Sequence, residues 1–370
     1  MTDITLDQDQ RMLVDSARRY VERAYDARLR ERSIAHESGC LPDVWRTFAD
    51  MGWLAMAVPE AVGGLGAQTL DLCLLAEELG RGAVNEPWTS SGVLAASLLP
   101  EAAPPAFADA WLGGVMDGSR RIAFVPAQSG LVLRDEGLLN GSSGLVVGGS
   151  GVAGWLVQAG VGERREALVW VEANATGVES CSCTLYDGRG AARLRFADTQ
   201  TTVIVEGDSS DIAALVARAS DRAMLAHCAE TVGGMQRALD VTLEYLKTRR
   251  QFGRAVASNQ VVQHRLVDLL VEIEEARALT HAAARMFDDP ASAGTARARM
   301  TAAATAYVAR AARQNWKQCV QLHGAIGMTQ EYELGHFVRR LAAAATLCGG
   351  ESQSLERLAA LSLDQEEAFA

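Results

Sequence analysis

The spacing of apolar residues changes twice along the chain and so marks three segments. In the first, apolar positions recur every three or four residues over Asp7 to Ala24, near Leu41 to Met51 and over Leu70 to Leu79, which predicts helices. Gly80 follows the third run, and glycine at such a place commonly ends a helix. These patterns predict an N-terminal helical domain over residues 1–113.

Short alternating runs separated by glycines fill the second segment, residues 114–207. Examples are RIAFVPA, ALVWVEA and TTVIVEG. Alternation of this kind predicts strands, and the spacing of the runs is typical of a small antiparallel sandwich or barrel. The pair Asn140 and Gly141 is a frequent hairpin turn, so we expect the chain to reverse there.

The helical period returns in the third segment, residues 208–370. We expect a long helix over Asp211 to Lys247, an amphipathic helix after it, an alanine-rich helix over Thr295 to Leu322 and a last helix over Ser352 to Leu361. Residues 288–290, DDP, indicate a loop between two of them. Long helices joined by short loops predict a four-helix bundle. The predicted fold class is therefore α+β and mainly α.

Composition and charge exclude several classes of function. The 370 residues carry a formal net charge of −11, which argues against a nucleic-acid partner, although a local arginine cluster still suits a phosphorylated ligand. No apolar run is long enough to cross a bilayer, and the polar N-terminus does not resemble a signal peptide, so we expect a cytoplasmic protein. The seven cysteines are scattered and the six histidines lack metal-ligand spacing, so we expect free thiols and no metal site.

Three stretches, taken with the order of the segments, resemble the acyl-CoA dehydrogenase family. They are VPEAVGGLG with LAEELGR in the first segment, GGMQRALDVTLEYLKTRRQFG in the third, and QLHGAIGMTQEYELGHFVRRL near the end. The resemblance covers most of the chain, is close in the third segment and poor in the second. It implies a flavoprotein that converts an acyl-CoA thioester into the 2-enoyl-CoA, with FAD as cofactor and an electron-transfer flavoprotein as acceptor.

The resemblance also implies which residues contact the cofactor. Arg249 matches the family arginine that binds the pyrophosphate of an FAD held mainly by a neighbouring subunit, and the planar donor fork of arginine suits phosphate oxygens. Ala325 stands where the family usually has a second glycine. The other positions that match the cofactor surroundings are Gln251, Phe252, Gln260, Gln321, Gly324 and Gly327.

The flavin-side and catalytic features of the family have no match in the sequence. Counting from Arg340 puts the usual glutamate base at Gly349, and the alternative base position on the long helix falls on Ala223. Residues 124–126 replace the family's T-E-P turn and residues 145–147 its W-I-[ST] strand, so the hydroxyl and indole groups are missing. We therefore assign no catalytic residue to this chain.

The sequence retains one half of the family's cofactor motifs and lacks the other half. In this it resembles a particular kind of subunit. It is the small, non-catalytic subunit of heterotetrameric dehydrogenases from actinobacterial steroid side-chain breakdown or of the pimeloyl-CoA type. The leading hypothesis is an α2β2 complex in which this chain completes the FAD site of a second dehydrogenase-like subunit, with a steroid-linked acyl-CoA as the substrate by analogy. Two alternatives stay open: a self-sufficient homotetramer with Glu351 as base, and a non-redox scaffold or acyl-CoA-binding subunit.

Overall fold

The computed structural model describes residues 6–128, 130–251, 253–329, 332–346 and 350–367. Helices come first along the chain, a β region follows and helices return, which confirms the predicted fold class. In the described residues, no helix combines the length and apolar character that a membrane crossing needs. Nor do these residues bring together three or more His, Cys, Asp or Glu side chains as a metal site would require.

The chain forms two compact units. Unit 1 is built from Met1–Asp26, Thr69–Val84 and Met224–Ala370, and unit 2 from Ala27–Gln68 and Asn85–Ala223. The three sequence segments of the predicted domain division remain a prediction.

The helices vary from seven to forty residues in length. In chain order they are α1 (Gln8–Arg23), α2 (Ala27–Ala35), α3 (Pro42–Asp50), α4 (Thr69–Arg81), α5 (Ala96–Ala102), α6 (Pro105–Met116), α7 (Ser209–Thr248), α8 (Gln260–Asp288), α9 (Gly294–His323), α10 (Glu333–Ala344) and α11 (Gly350–Glu367). A π-helical segment, Trp88–Ala95, leads directly into α5.

Local sequence explains where several helices begin and end. Asp7 caps α1 by accepting a hydrogen bond from the backbone of Gln10 at 2.8 Å, and the Gln10 side chain accepts one from the backbone of Asp7 at 3.2 Å. Pro42 occupies the first turn of α3, where its missing N–H costs nothing. The loop predicted at residues 288–290 separates α8 from α9.

The prediction that Gly80 ends α4 is wrong. The helix continues to Arg81, and a Cβ atom at Gly80 would lie 1.9 Å from the carbonyl oxygen of Glu230 in α7. Gly233 of α7 reciprocates, because its Cβ would lie 1.9 Å from the carbonyl oxygen of Glu77 in α4. The glycine is therefore required by the close crossing of two helices in unit 1.

Unit 1 has one hydrophobic core shared by its C-terminal helices. Met235 of α7, Ile273 of α8, Ala312 of α9 and Leu341 of α10 are completely buried in it. Each comes from the apolar stripe of its helix, as expected for helices that bury one face against a common core.

Unit 2 contains a sheet of eight strands. They are β1 (Ile122–Val125), β2 (Val132–Arg134), β3 (Leu138–Val147), β4 (Gly154–Val161), β5 (Arg165–Glu172), β6 (Val178–Thr184), β7 (Gly190–Gln200) and β8 (Thr202–Asp208). The order is β6-β7-β3-β2-β4-β5-β8, with β1 beside β4. Most pairs are antiparallel as predicted, but β1 and β2 both pair parallel to β4.

Both faces of the sheet are covered in its central part. Val157 of β4 and Val169 of β5 are buried in a core made by the sheet alone. Leu156 and Leu168 point to the opposite face and pack in a second core with residues of α5 and α6, such as Leu112. Successive residues thus serve opposite faces, which follows from the two-residue repeat of a strand.

The turn predicted at Asn140 and Gly141 is also wrong, since both residues lie inside β3. Gly141 has a φ of 124°, and a Cβ there would lie 2.0 Å from the carbonyl oxygen of Gly130. The pairing of β3 with β7 shifts register at this point, and the Asn140 side chain accepts a hydrogen bond from the backbone of Asp198 at 3.1 Å. The glycine permits an irregular strand here rather than a hairpin.

Candidate functional site

Arg249 stands directly after α7, at the start of a short hairpin. Its backbone donates to the carbonyl of Tyr245 at 2.8 Å and accepts from the backbone of Val256 at 2.9 Å. The hairpin consists of β9 (Arg250–Gln251) and β10 (Arg254–Ala255). The Arg249 side chain is exposed and makes no hydrogen bond or ion pair with the described part of the chain. The backbone is therefore fixed while the guanidinium is available to a ligand.

The polar residues near Arg249 differ in whether their side chains are already hydrogen-bonded within the chain. Arg254 donates to the side chain of Asn259 at 2.6 Å, so its guanidinium is already engaged at the start of α8. Gln251 and Gln260 are exposed. Phe252, the remaining predicted cofactor contact of this stretch, lies outside the described residues.

The connection between α7 and α8 carries a local positive charge on an acidic protein. Lys247, Arg249, Arg250, Arg254 and Arg265 occur within nineteen residues, in a chain with a net charge of −11. Clustered cations raise the local concentration of anionic ligands even when the average charge is negative. This stretch is therefore suited to phosphate groups.

The second predicted cofactor segment begins at the end of α9. Gln321 is exposed, and Gly324 has a φ of 69° with no atom within 4 Å of the position that a Cβ would take. Gly327 differs, because a Cβ there would lie 2.9 Å from the Cβ of His323. Gly324 thus leaves its outer side open to a ligand, whereas internal packing alone accounts for Gly327.

An aromatic cluster, which the sequence analysis did not single out, joins the two segments within unit 1. The rings of Tyr245 and His323 are stacked with centroids 4.5 Å apart and an interplanar angle of 17°. Tyr332, just before α10, lies with its ring 5.3 Å from that of His323. The three residues come from three different elements, so no periodicity in the sequence signals their contact.

Two carboxylates close in sequence to the predicted base positions take part in ion pairs. Glu351, in the first turn of α11, pairs with Arg313 of α9. Glu230 of α7 lies 3.2 Å from Nε of Arg340. Ala223 is buried and has no titratable group, and Gly349 lies outside the described residues. These two carboxylates therefore contribute to holding the helices together.

Two of the three residues that replace the family's flavin-side turn face the interior of unit 2, whereas Pro126 is exposed. Phe124 and Val125 belong to β1 and are 7% and 0% exposed, each within one of the hydrophobic cores. Leu145 on β3 is 49% exposed, while its neighbour Val146 is buried. An apolar side chain cannot donate the hydrogen bond that a hydroxyl donates to a flavin.

Two family models match most of the chain. Residues 7–119 match the family described as "Acyl-CoA dehydrogenase, N-terminal domain" and residues 213–363 match "Acyl-CoA dehydrogenase, C-terminal domain". The chain is 30% identical over 327 residues to acyl-CoA dehydrogenase IpdE2 of Mycobacterium tuberculosis (strain ATCC 25618 / H37Rv), which covers 88% of this chain and 88% of that protein.

Two solved structures are similar over nearly the whole length. One is a chain from a variant of the "Tcur3481-Tcur3483 steroid ACAD", with a TM-score of 0.86, 27% identity and coverage of 97% of this chain and 99% of that one. The other is a chain of the ChsE4-ChsE5 complex from Mycobacterium tuberculosis, with a TM-score of 0.87, 23% identity and coverage of 97% and 98%. The second similarity concerns the fold alone.

Proposed function

Because the chain belongs to the acyl-CoA dehydrogenase family, we propose that it is one subunit of a flavin-dependent acyl-CoA dehydrogenase. In this proposal a second dehydrogenase-like subunit holds the flavin ring of FAD and supplies the catalytic base. The present chain completes the phosphate and adenosine end of that site, in an α2β2 assembly that oxidises an acyl-CoA to the 2-enoyl-CoA.

The observation that carries the proposal is the contrast between the groups that could bind FAD and the carboxylates that could act as a base. Arg249 is exposed and makes no side-chain bond to the described residues, and the outer side of Gly324 is open. Glu351 and Glu230, two carboxylates close in sequence to the predicted base positions, are instead paired with Arg313 and Arg340. The chain therefore offers exposed ligand-binding groups, while these two candidate bases are held in ion pairs.

These residues fit one part of a flavin dinucleotide. The Arg249 guanidinium would bind the pyrophosphate, the backbone at Gly324 would approach the cofactor, and the exposed amides of Gln251, Gln260 and Gln321 would bind polar groups of the adenosine part. FAD, when bound, supplies the chemistry of accepting a hydride from the β-carbon of the thioester. Proton abstraction from the α-carbon falls to the partner subunit in this proposal.

The substrate and the electron acceptor are proposed from similarity. One of the similar structures, at 27% identity, is named as a steroid ACAD with two components, Tcur3481 and Tcur3483. A bulky acyl-CoA, such as a steroid-linked thioester, follows from that analogy. An electron-transfer flavoprotein is the corresponding acceptor.

The proposal is tested by measuring flavin per chain. The protein is produced alone and together with the dehydrogenase-like subunit encoded beside it, and each sample is assayed for bound FAD by absorbance and for acyl-CoA dehydrogenation. We expect stoichiometric FAD and activity in the complex only. Full FAD occupancy and turnover by the chain alone would contradict the proposal and support the self-sufficient homotetramer.

A matched pair of variants separates a cofactor-binding subunit from a scaffold. Arg249→Ala in the complex should release FAD, whereas Arg250→Ala, one residue further along the same exposed hairpin, should retain it. Equal flavin content in both variants would favour the non-redox scaffold, because a scaffold needs neither guanidinium for cofactor binding.

A further inference from the structure

His323, the last residue of α9, is a buried imidazole with one unused nitrogen. The residue is 5% exposed, and its Nδ1 lies 2.9 Å from the carbonyl oxygen of Cys319. A carbonyl oxygen only accepts, so Nδ1 carries the proton in the neutral ring. Nε2 then carries a lone pair, and it is buried without a hydrogen-bond partner in the described part of the chain.

The ring of His323 forms a three-membered aromatic cluster with Tyr245 near the end of α7 and Tyr332 just before α10. Tyr245 stacks on one side at 4.5 Å, and its hydroxyl donates to the carbonyl of His323 at 3.4 Å. Tyr332 lies 6.2 Å from Tyr245 and completes the cluster. Tyr245 also accepts the backbone hydrogen bond of Arg249 at 2.8 Å. The cluster thus connects the backbone of Arg249 to the residue that precedes Gly324.

We propose that His323 is a positioning residue that holds the ends of α7 and α9 together and thereby places Arg249 and the Gly324 turn for the FAD of the partner subunit. This inference rests on the proposed function. Aromatic pairs of this geometry stabilise a fixed arrangement beyond the effect of their burial. A small displacement of either helix end would change the relative placement of two groups that must contact the same cofactor.

The positioning requires the neutral imidazole ring, so retention of FAD by the complex should depend on pH. Burial lowers the pKa of His323 below its ordinary value of 6.5, with the Cys319 carbonyl opposing that effect. Protonation would add a buried Nε2–H that finds no acceptor among the residues that the structure describes, which is costly. Charging His323 is therefore expected to loosen the cluster only on the acid side of the ordinary histidine pKa of 6.5.

The other titratable groups around the ring do not account for such a change. The carboxylates of Glu244 on α7 and Glu333 on α10 act on Tyr332, whose pKa is raised by its burial and by these charges. Burial raises the pKa of the Cys319 thiol to about 11, so this group stays neutral throughout. Tyr332, with its raised pKa, remains protonated in the acid range.

The experiment follows FAD retention by the purified complex between about pH 5 and pH 8. Wild-type retention should fall on the acid side. His323→Phe keeps an aromatic ring that cannot be protonated, so it should hold FAD at neutral pH and show a flat profile. His323→Ala removes the ring and should weaken FAD binding roughly two- to tenfold at neutral pH, as expected for the loss of one aromatic pair.

The control is His264→Gln, at an exposed histidine on α8, which should leave the wild-type profile unchanged. A His323→Phe complex with the wild-type acid limb, or a His323→Ala complex with wild-type affinity, would overturn the inference. The parallel Arg249→Ala variant distinguishes this result from failure of the proposed function. Loss of FAD with Arg249→Ala alone rejects only the role of His323, whereas retention of FAD with Arg249→Ala rejects the cofactor role of the subunit.

Discussion

At the scale of single residues, two glycines set the distance between α4 and α7 in unit 1. Gly80 and Gly233 each place their missing side chain against a carbonyl oxygen of the other helix. Replacing glycine by alanine favours the helical conformation by about 1 kcal/mol. At this crossing, however, a methyl group 1.9 Å from a carbonyl oxygen of the other helix would force α4 and α7 apart. Steric exclusion therefore outweighs propensity at this crossing.

The first prediction follows from this contact. Gly80→Ala should lower the free energy of unfolding by about 1–3 kcal/mol, measured by urea denaturation. Gly294→Ala in the same unit is the control, because no atom lies within 4 Å of its Cβ position, and it should be neutral or slightly stabilising. Equal midpoints for the two variants would show that the helices can separate freely.

Glu77 is a second residue whose role depends on its surroundings. Burial raises the pKa of its carboxyl, but the imidazole of His281, 3.6 Å away, and the guanidinium of Arg277, 2.9 Å away, outweigh burial and hold the pKa below 4.5. The ionised form is therefore the one that stabilises the fold. This contribution is complete above pH 4.5 and is lost as the pH falls through the folded-state value.

The second prediction concerns Glu77→Gln. Near neutral pH the variant should lose about 3 kcal/mol, because Arg277 keeps only Glu274 as a charged partner. The difference from wild type should shrink at acid pH, where the wild-type carboxyl is protonated as well. Urea midpoints at several pH values test this, with the more exposed Glu274→Gln as a control that should lose less. A pH-independent difference would contradict the assignment.

At the scale of elements, the start of α4 is capped from outside its own sequence. The backbone and hydroxyl of Thr69 both donate to Asp288 at the end of α8, the hydroxyl at 2.9 Å. A side-chain acceptor at a helix N-terminus satisfies donors that have no partner within the helix. The cap thus links two helices of unit 1 whose sequences are more than two hundred residues apart.

The third prediction is that Asp288→Ala destabilises the first turn of α4 by about 1 kcal/mol. Hydrogen exchange should accelerate in the amides that follow Thr69. Asp289→Ala is the matched control, because Asp289 bonds to the backbone of Ala291 and the hydroxyl of Ser292 within the loop. If both variants exchange alike, the cap does not stabilise α4.

Individual helices also show which parts of the fold can be predicted from the sequence. Helix α1 was predicted over residues 7–24 and runs over Gln8–Arg23, because one apolar face and the capping residue Asp7 are both local signals. The π-helical segment Trp88–Ala95 and helix α5 were not predicted from the sequence. Many of their residues, such as Val93 and Leu98, are completely buried. Apolar residues therefore occur on every side of these helices, and no amphipathic period marks them in the sequence.

At the scale of the whole molecule, long-range pairing limits what the sequence predicts. The strands of β4 and β5 were anticipated from alternation, but the parallel pairing of β1 and β2 with β4 depends on contacts that no local pattern encodes. The candidate site follows the same rule. Motifs predict Arg249 and Gln321 as site residues, whereas the contact of His323 with Tyr245 and Tyr332 is seen only in the folded chain.

The assembled molecule also bears on where the catalytic base resides. The self-sufficient alternative requires Glu351, yet its carboxylate pairs with Arg313 on α9 and is only 25% exposed. A general base must reach the proton that it abstracts and must exchange its own proton during turnover. The Glu351 carboxylate would have to leave its contact with Arg313 before it could reach a substrate proton. The pair is better explained as the contact that fixes the first turn of α11 on α9.

The fourth prediction is that Glu351→Gln leaves dehydrogenation by the complete complex within about twofold of wild type, while weakening the attachment of α11 by up to about 1 kcal/mol. Arg313→Gln should have the same effect on stability, because it removes the same contact from the other side. Steady-state turnover with saturating acyl-CoA and thermal unfolding of the complex measure the two quantities. Loss of activity in Glu351→Gln with FAD still bound, and not in Arg313→Gln, would assign the base to this chain. Equal and small effects in both variants would leave the partner subunit as the source of the base.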